Sequence, residues 1–151
     1  MSTPSHTVLR RADESDTASV VHVLRRSRSE SLPFLPELHT LEEQLDWFRN
    51  KEFTRSVVWV AEVRGQIVGF AARESDWLHH LYVLSEHHGK GVGSQLLAKA
   101  KEECPWTLRL YTFQQNQRAR AFYESRGFTN VEFNEAGGEE RMPDVLMEWR
   151  P

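Results

Sequence analysis

A chain of 151 residues is long enough for one folded domain and is expected to bury about 70% of the surface that its unfolded form exposes. Its hydrophobic content of 39%, with 27% charged residues, is ordinary for a globular protein, and a net charge of −3 disfavours a general nucleic-acid surface. The single cysteine excludes an internal disulfide framework and a cysteine-rich zinc cluster.

Export and membrane insertion have no signal in the sequence. The longest apolar run covers residues 57–61, far short of the roughly 20 residues that a membrane-spanning helix needs. The N-terminus lacks the basic-then-apolar pattern of a secretory signal. We therefore expect a cytoplasmic protein whose partners include neither a membrane nor a nucleic acid.

The first half of the chain predicts two helices placed between strands. Asp13 is a favourable N-cap for the first helix, and Thr40 with Glu43 forms a capping box that opens the second. The turn residues Arg64 and Gly65 separate two apolar runs, which predicts a hairpin. In chain order we expect a strand over residues 6–11, helices over about 16–29 and 40–50, and strands over 56–63 and 66–73.

A local basic cluster lies on the first predicted helix and consists of Arg25, Arg26 and Arg28. Its simplest interpretation is a solvated helix face, because charged residues normally cover the outer side of a surface helix. Contact with an anionic ligand is the alternative.

The second half of the chain alternates strands with helices. A strand over residues 77–84 leads into a glycine-rich turn, and the helix after that turn carries apolar residues at steps of four until Pro105 closes it. The later elements are a strand over residues 106–112, a helix from Asn116 to about 126, and strands over 129–135 and 144–149. This order predicts an α/β (α+β) fold with antiparallel hairpins beside a crossover, in a single domain over residues 1–151 with its core at about 7–150.

The glycine-rich turn indicates a binding site for a phosphate or diphosphate. Three glycines alternate over residues 89–93, directly before a predicted helix. Glycine lets backbone N–H groups approach a ligand, and a helix start adds unpaired donors and the positive end of its dipole. The spacing does not match the Walker pattern, and Ser94 occupies the third glycine position of the dinucleotide fingerprint, so we discard both interpretations.

Another pattern fits the turn. The spacing His88-x-x-Gly91-x-Gly93 resembles the acetyl-CoA loop of the Gcn5-related N-acetyltransferase (GNAT) superfamily, whose signature is Gln/Arg-x-x-Gly-x-Gly/Ala. His88 departs from that signature, and we expect the change to be tolerated because such a loop acts largely through backbone N–H groups. Residues 116–128 closely resemble the family's second motif, Asn-x-x-Ala-x-x-x-Tyr-x-x-x-Gly-Phe, and residues 77–83 resemble its central strand.

The resemblance implies the GNAT fold, a mixed central sheet with splayed middle strands flanked by helices, and an acyltransferase that takes acetyl-CoA as acyl donor. The central strand would offer backbone groups to the pantetheine arm and the thioester carbonyl, and the glycine loop would hold the diphosphate. Asn116 would bond the pantetheine or bridge the splayed strands, its alternative role being a plain helix N-cap. The implied donor-binding residues are Leu81, Tyr82, Val83, His88, Gly89, Lys90, Gly91, Val92, Gly93, Ser94 and Asn116.

Tyr123, within the second motif, is the implied general acid. A phenol with a reference pKa of about 10 is protonated at neutral pH and can donate a proton to a departing thiolate, for which the ordinary pKa of the thiol is about 8.5. The alternative is that Tyr123 simply packs, as aromatic residues on helices usually do. The family motif favours the acid role.

The base that deprotonates the acceptor amine is not identified by any motif. Candidates on or before the central strand and around the second helix are Glu74, Asp76, His79, His80, His39 and Glu43. Alternation along a strand sends His79 and His80 to opposite faces, so only one of them can face the acceptor. The same divergence disfavours a metal site built from the histidines, and we expect no metal.

The acceptor would lie, by the same resemblance, against residues 32–47 and the late loop at residues 134–142. The candidate lining residues are Phe34, Leu35, His39 and Trp47. The aromatic residues of this set, together with the acidic pair Glu139 and Glu140, would suit an amine with an apolar body. A solvated loop is the alternative interpretation of the acidic pair.

The leading hypothesis is acetyl transfer from acetyl-CoA to a primary amine of a small molecule, by direct attack in a ternary complex. A protein or peptide amine is the alternative acceptor, and a narrow pocket rather than an open groove would favour the small molecule. A CoA-binding sensor or interaction module without turnover is the alternative from another class, and the presence of Tyr123 weighs against it. Acyl-chain preference stays open, as does a homodimer, because family members are often dimers but no interface stands out in the sequence.

Overall fold

The computed structural model describes residues 6–151, which form seven β-strands and five α-helices. The strands are β1 (Thr7–Arg11), β2 (Val57–Val63), β3 (Gln66–Glu74), β4 (Trp77–Val83), β5 (Leu108–Phe113), β6 (Phe128–Gly137) and β7 (Met142–Trp149). The helices are α1 (Thr17–Ser31), α2 (Leu41–Trp47), α3 (Phe53–Arg55), α4 (Val92–Glu103) and α5 (Gln117–Glu124). Within this described range, no helix is both long enough and apolar enough to cross a membrane.

All seven strands belong to one mixed sheet in the order β1-β2-β3-β4-β5-β7-β6. Neighbouring strands are antiparallel except β4 and β5, which run parallel and are connected through the crossover helix α4. The predicted α/β fold, with hairpins beside one crossover, is therefore confirmed.

Helices cover both faces of the central strands. Phe48, which follows α2, packs edge-on against Phe70 of β3 with ring centroids 6.0 Å apart. On the opposite face, Leu96 of α4 packs beside Gly69 of the same strand. Because both faces are buried, β3 is an almost continuous apolar run rather than an alternating one.

The helix N-caps form largely as the sequence predicts. Thr40 Oγ1 accepts the Glu43 N–H at 3.1 Å, and the Glu43 carboxylate accepts the Thr40 N–H at 2.9 Å, which completes the capping box of α2. The Asp13 side chain accepts the Ser15 N–H at 2.9 Å, but it caps a 3₁₀ turn that precedes α1 rather than α1 itself.

The second helix differs from the prediction beyond residue 47. The chain continues from α2 through a π-helical turn, Phe48–Glu52, and then enters the short helix α3. The π-helical turn buries both Phe48 and Glu52. Phe48 contacts Phe70 of the core, a tertiary contact that the local sequence pattern does not indicate.

The last hairpin is longer than expected. Gly137 pairs with Met142, so the predicted loop shrinks to a turn at residues 138–141. Gln114 fixes the hairpin, since its Nε2 donates to the backbone oxygens of Asn134 and Asp144 at 3.0 and 2.9 Å. The extended hairpin carries its acidic tip back to the helical layer around α1.

Candidate functional site

Two strands in the middle of the sheet separate and open a cleft. In the described part of the chain, β4 and β5 share one paired position, Trp77 with Arg109, where the Arg109 N–H donates to the Asp76 oxygen at 2.8 Å. Beyond this point β4 pairs with no strand on that side, so a ligand can reach this edge of its backbone between Leu81 and Val83. This separation is the splay that the resemblance implies.

The opening between β4, α4 and α5, hereafter the inner cleft, encloses about 210 Å³. Every predicted donor-binding residue lines it except Lys90, whose side chain is exposed between the two glycines that turn the loop. The structure therefore does not place Lys90 in the cleft. Other lining residues, which no sequence pattern singled out, are Ser27, Ser31, Leu32, His87, Arg118, Ala119, Phe122 and Arg126.

The glycine loop presents unpaired backbone donors to the inner cleft. Gly89 and Gly91 have φ angles of 76° and 83°, in the left-handed region that favours glycine. Gly91 is the N-cap of α4, and the first hydrogen bond of the helix runs from the Gln95 N–H to the Gly91 oxygen at 3.0 Å. The N–H groups of residues 92–94 thus have no acceptor within the helix, which makes this helix start suited to a diphosphate.

His88, the irregular member of the loop signature, holds the loop against β4. Its Nε2 lies 2.7 Å from the backbone oxygen of Val83, and because a carbonyl only accepts, this nitrogen is the donor. The His88 N–H donates to the Ser85 oxygen at 3.1 Å. The side chain is therefore engaged with the protein, and anion binding falls to the backbone donors further along the loop.

Two arginines of the second motif bring positive charge to the inner cleft. Arg126 donates to the Ser94 hydroxyl and to the Phe122 oxygen, and its guanidinium lies 4.0 Å from the centroid of the Phe122 ring. Arg118 lines the same cleft. Both occupy variable positions of the motif, which is why its spacing did not single them out. Together with the loop amides, these cations favour an anionic ligand.

Asn116 has the capping role that was weighed as its alternative. Its Oδ1 accepts the Ala119 N–H at 3.1 Å at the start of α5. The residue also lines the inner cleft, so capping of α5 and proximity to the donor site occur together.

A second cavity, hereafter the outer pocket, adjoins the inner cleft at Leu32, which lines both. It encloses about 240 Å³ between the end of α1, the loop to α2 and the β6–β7 turn. Its lining residues are Arg25, Arg28, Ser29, Leu32, Pro33, Leu35, Pro36, Glu37, Leu38, His39, Gln44 and Glu140.

Two of the four residues predicted to line the acceptor site lie in the outer pocket, and the other two pack elsewhere. Leu35 and His39 line the outer pocket, whereas Phe34 and Trp47 do not. Phe34 packs edge-on against a phenylalanine of β5 with centroids 6.2 Å apart, and Trp47 lies 5.3 Å from the guanidinium of Arg55. The pocket wall is consequently polar and aliphatic rather than aromatic.

One ion pair and one histidine–carboxylate contact join the hairpin tip to the helical layer beside the outer pocket. Arg28 Nη2 donates to Glu140 Oε1 at 2.7 Å, and His39 Nε2 lies 2.6 Å from Glu139 Oε1. The acidic pair, interpreted from the sequence as a recognition element for an ammonium group, is thus already engaged by basic side chains of the protein.

Comparison with known proteins assigns the chain to a family. Residues 54–130 match the model of the acetyltransferase (GNAT) domain, and this segment contains β4, the glycine loop and all of α5 with its Asn116 cap. The chain belongs to the GNAT family. It is accordingly an N-acetyltransferase with acetyl-CoA as its acyl donor, which confirms the enzyme class and the donor implied by the resemblance.

Full-length similarities agree with this assignment. An uncharacterized N-acetyltransferase of Archaeoglobus fulgidus is 30% identical, with 87% of this chain and 99% of the relative covered. The peptidyl-lysine N-acetyltransferase YiaC of Escherichia coli is 24% identical, with coverage of 94% and 96%. The structure of the PaiA N-acetyltransferase from Thermoplasma acidophilum in complex with coenzyme A superposes with a TM-score of 0.77 at 21% identity, covering 97% of this chain and 99% of that one.

Tyr123 of this acetyltransferase lies behind the inner cleft rather than among its lining residues. The side chain is 7% exposed, and its ring packs against Phe122 and Phe128 with centroid distances of 5.2 and 5.3 Å. Burial raises the pKa of Tyr123 above its ordinary value, and the nearby Tyr82 phenol adds to the rise. The hydroxyl therefore stays protonated at neutral pH, while its role as general acid remains a prediction.

Most of the candidate bases are held by partners outside the two cavities. His79 Nε2 lies 2.9 Å from Glu74 Oε1, and Asp76 pairs with an arginine of β5 at 3.7 Å. Glu43 is engaged in the capping box of α2. His39, in contrast, lines the outer pocket and is the candidate placed beside a potential acceptor.

His80, which is partly exposed, lies beside a fully buried carboxylate that no sequence pattern indicated. Glu52, fully buried in the π-helical turn, accepts hydrogen bonds from Ser56 Oγ at 2.9 Å and Arg55 Nη2 at 3.1 Å, and its Oε1 lies 4.0 Å from His80 Nε2. Burial lowers the pKa of His80 to about 4, so its imidazole is neutral near pH 7. Burial by itself would raise the pKa of Glu52, but the neighbouring His80, Ser56 and Arg55 lower it on balance. Neither His80 nor Glu52 lines the inner cleft or the outer pocket.

Proposed function

We propose that this acetyltransferase acts on the primary amine of a small molecule, by direct attack on the thioester of acetyl-CoA within a ternary complex. The observation that carries the proposal is the adjoining pair of cavities, which share Leu32. A donor in the inner cleft and an acceptor in the outer pocket would lie side by side, so the amine can attack without a covalent enzyme intermediate.

The donor would be bound mainly by backbone groups. The N–H groups of residues 92–94 and the guanidinium groups of Arg118 and Arg126 suit the diphosphate. The edge of β4 from Leu81 to Val83 that faces no strand suits the amide groups of the pantetheine arm. An N–H group of the same stretch would polarise the thioester carbonyl.

The reaction forms a C–N bond and breaks a C–S bond, so the amine loses one proton and the departing thiolate gains one. We propose that Tyr123, whose hydroxyl is protonated at neutral pH, supplies the proton that the thiolate gains. His39, which lines the outer pocket, would accept the proton that the amine loses. Glu139, 2.6 Å from His39 Nε2, would orient the imidazole for this transfer.

The size and the walls of the outer pocket favour a small acceptor. Its volume of about 240 Å³ lies below the roughly 300–1,000 Å³ of sites that hold drug-sized ligands. The Arg28–Glu140 and His39–Glu139 pairs join the β6–β7 turn to the helical layer. These joined walls favour a pocket for a compact molecule over an open groove for an extended peptide.

A peptide lysine is the second candidate acceptor. It is favoured by the similarity to YiaC, which is named a peptidyl-lysine N-acetyltransferase. A lysine side chain carries a primary amine on a slender apolar stem, so it could enter the outer pocket if the hairpin tip moved away from α1.

The release of free thiol from acetyl-CoA tests the proposal when it is measured with small primary amines, with lysine-containing peptides and without acceptor. We expect at least one small amine to exceed the peptides by about tenfold in kcat/KM, which corresponds to ~1.4 kcal/mol in transition-state stabilisation. Saturable turnover of peptides alone would replace the small molecule with the peptide. Binding of CoA without any amine-dependent release would instead indicate a sensor.

A further inference from the structure

Arg25 differs from the other arginines of the basic cluster because no carboxylate neutralises it. Arg26 and Arg28 are both paired with glutamates. Arg25 instead donates to two neutral oxygens, Oε1 of Gln44 at 2.8 Å and the backbone oxygen of His39 at 3.4 Å. Among residues 6–151, no carboxylate oxygen lies within 4.0 Å of its guanidinium. Arg25 therefore brings an unbalanced positive charge to the outer pocket, which it lines.

The hydrogen bonds of Arg25 leave its best anion-binding edge available. Both bonds use the same nitrogen, Nη1. The edge formed by Nε and Nη2 has no hydrogen-bond acceptor within the described range of the chain. Two parallel N–H donors on that edge match the two oxygens of a carboxylate in a bidentate contact. Gln44 thus holds the guanidinium in place while the ligand-binding edge stays unused.

The acidic residues of the pocket do not supply the missing partner. Glu140 is bound to Arg28 at 2.7 Å, and its side chain is mostly buried. Glu37 also lines the pocket, but it is exposed on the loop and forms no ion pair with Arg25 in the described structure. A ligand that carries a carboxylate would balance the charge of Arg25 without displacing an existing pair.

We propose that the acceptor carries a carboxylate in addition to its primary amine, and that Arg25 binds this carboxylate in the outer pocket. The inference rests on the proposed function, because it specifies the class of amine that the pocket takes. The amine end would face the inner cleft, where the two cavities meet at Leu32. An amino acid is of a size that a cavity of about 240 Å³ can hold.

Matched acceptors separate the effect of the charge from that of the shape. A series of ω-aminoalkanoates of increasing length, each compared with its carboxamide, presents the same amine with and without the anion. We expect kcat/KM to be about tenfold or more higher for the best carboxylate than for its carboxamide, mainly through a lower KM, because a site built for a polar partner rejects the analogue that lacks it.

Substitutions of Arg25 assign this preference to one side chain. Arg25→Gln should raise KM for the carboxylates to the level of the carboxamides. Arg25→Lys should restore part of the preference, since it returns the charge without the planar fork. Arg26→Gln, which removes a paired arginine of the same helix outside the pocket, is the matched control and should keep the full preference.

A binding measurement gives a readout that does not need turnover. The N-acetylated carboxylate and its carboxamide are titrated into the CoA-bound enzyme, and we expect the carboxylate to bind more tightly in the wild type and equally in Arg25→Gln. Equal affinities in the wild type would overturn the inference, as would a preference that survives in Arg25→Gln. If neither series is acetylated but the Arg25-dependent preference appears, the proposed function fails and the carboxylate site stands. If both series are acetylated without a preference, the proposed function stands and the carboxylate site fails.

Discussion

The inner cleft and the outer pocket of this acetyltransferase are built in opposite ways. The inner cleft takes most of its lining from two contiguous segments, the end of β4 with the glycine loop and the first turns of α5. The outer pocket is assembled from α1, the following loop and the distant β6–β7 turn. Local backbone geometry defines the first cavity, whereas contacts between the side chains of distant segments define the second.

This difference predicts which amino-acid substitutions each cavity tolerates. A loop that binds through N–H groups requires residues that permit its conformation, such as Gly91 with its positive φ, and depends little on side-chain chemistry. A wall joined by the Arg28–Glu140 pair depends on two particular side chains. We therefore expect conformational substitutions to damage donor binding and charge substitutions to damage acceptor binding.

The largest expected effect concerns the reaction step on the donor side. Tyr123→Phe keeps a ring between Phe122 and Phe128 and removes only the hydroxyl, so kcat should fall about 100-fold while CoA affinity is unchanged. Steady-state thiol release and a CoA titration measure the two quantities. Tyr111→Phe, at an exposed ring stacked on Trp77, is the control and should keep the wild-type kcat. A wild-type kcat in Tyr123→Phe would remove this residue from the reaction.

The next effect tests whether the backbone conformation governs donor binding. Gly91→Val forces a β-branched residue into the left-handed region, and we expect CoA affinity to fall about tenfold as the loop relaxes. Gly65→Val is a matched control, because Gly65 also has a positive φ, of 75°, and open space around its Cβ position, but lies in the β2–β3 turn. Both variants should lose thermal stability, and only Gly91→Val should lose CoA affinity in calorimetric titration. Equal CoA affinities in the two variants would contradict the prediction.

A smaller effect is expected when the wall of the outer pocket is opened. Arg28→Gln removes the ion pair with Glu140 and leaves that carboxylate uncompensated, so the acceptor KM should rise about fivefold. The affinity for CoA should not change, because the inner cleft does not contain this pair. Arg26→Gln removes an exposed pair of the same helix and should alter neither quantity. If CoA affinity fell as far as acceptor affinity, the two cavities would not be separable.

The smallest effect is expected at His80 of β4, where we predict a change in the pH dependence of stability rather than in catalysis. Its pKa is about 4 in the folded protein against ~6.5 in the unfolded chain, so the unfolded chain binds more protons between these values. The contribution of neutral His80 to the free energy of unfolding is therefore fully present above about pH 6.5 and is lost as the pH falls toward 4. We expect Tm to drop by about 5 °C across this window.

Two variants test whether His80 causes the decline of Tm, when thermal unfolding is measured between about pH 6.5 and pH 4. His80→Phe removes the titrating ring from its aromatic neighbours Phe48 and Phe70, and the decline of Tm should flatten. His79→Gln, at the histidine paired with Glu74, should keep the wild-type slope. A steep decline that persists in His80→Phe would mean that another group is responsible.

Sequence patterns predicted the starts of α2 and α5 because an N-cap depends on neighbours within a few positions. The Thr40–Glu43 capping box and the Asn116 cap are present as expected. The π-helical turn was not predictable in this way. It arises where Phe48 meets Phe70, a residue of another element, and local propensity has no information about that contact.

The basic cluster shows why the acceptor side was harder to predict. It was interpreted as one solvated face, but Arg25 and Arg28 line the outer pocket while Arg26 pairs outside it. Residues three apart lie on the same side of a helix and adjacent residues do not, so the cluster divides once the helix is packed. Which side then faces a cavity depends on where the β6–β7 hairpin ends.

For this acetyltransferase, the amino-acid sequence was sufficient to identify the family and its acyl donor, because glycine spacing and helix caps act through the local backbone. The contents of the outer pocket required the folded molecule. Arg28 and Glu140 are 112 positions apart, and the unused edge of Arg25 exists only because Gln44, on another helix, occupies its other nitrogen. Contacts of that kind follow from the packing of whole elements, which short-range patterns do not encode.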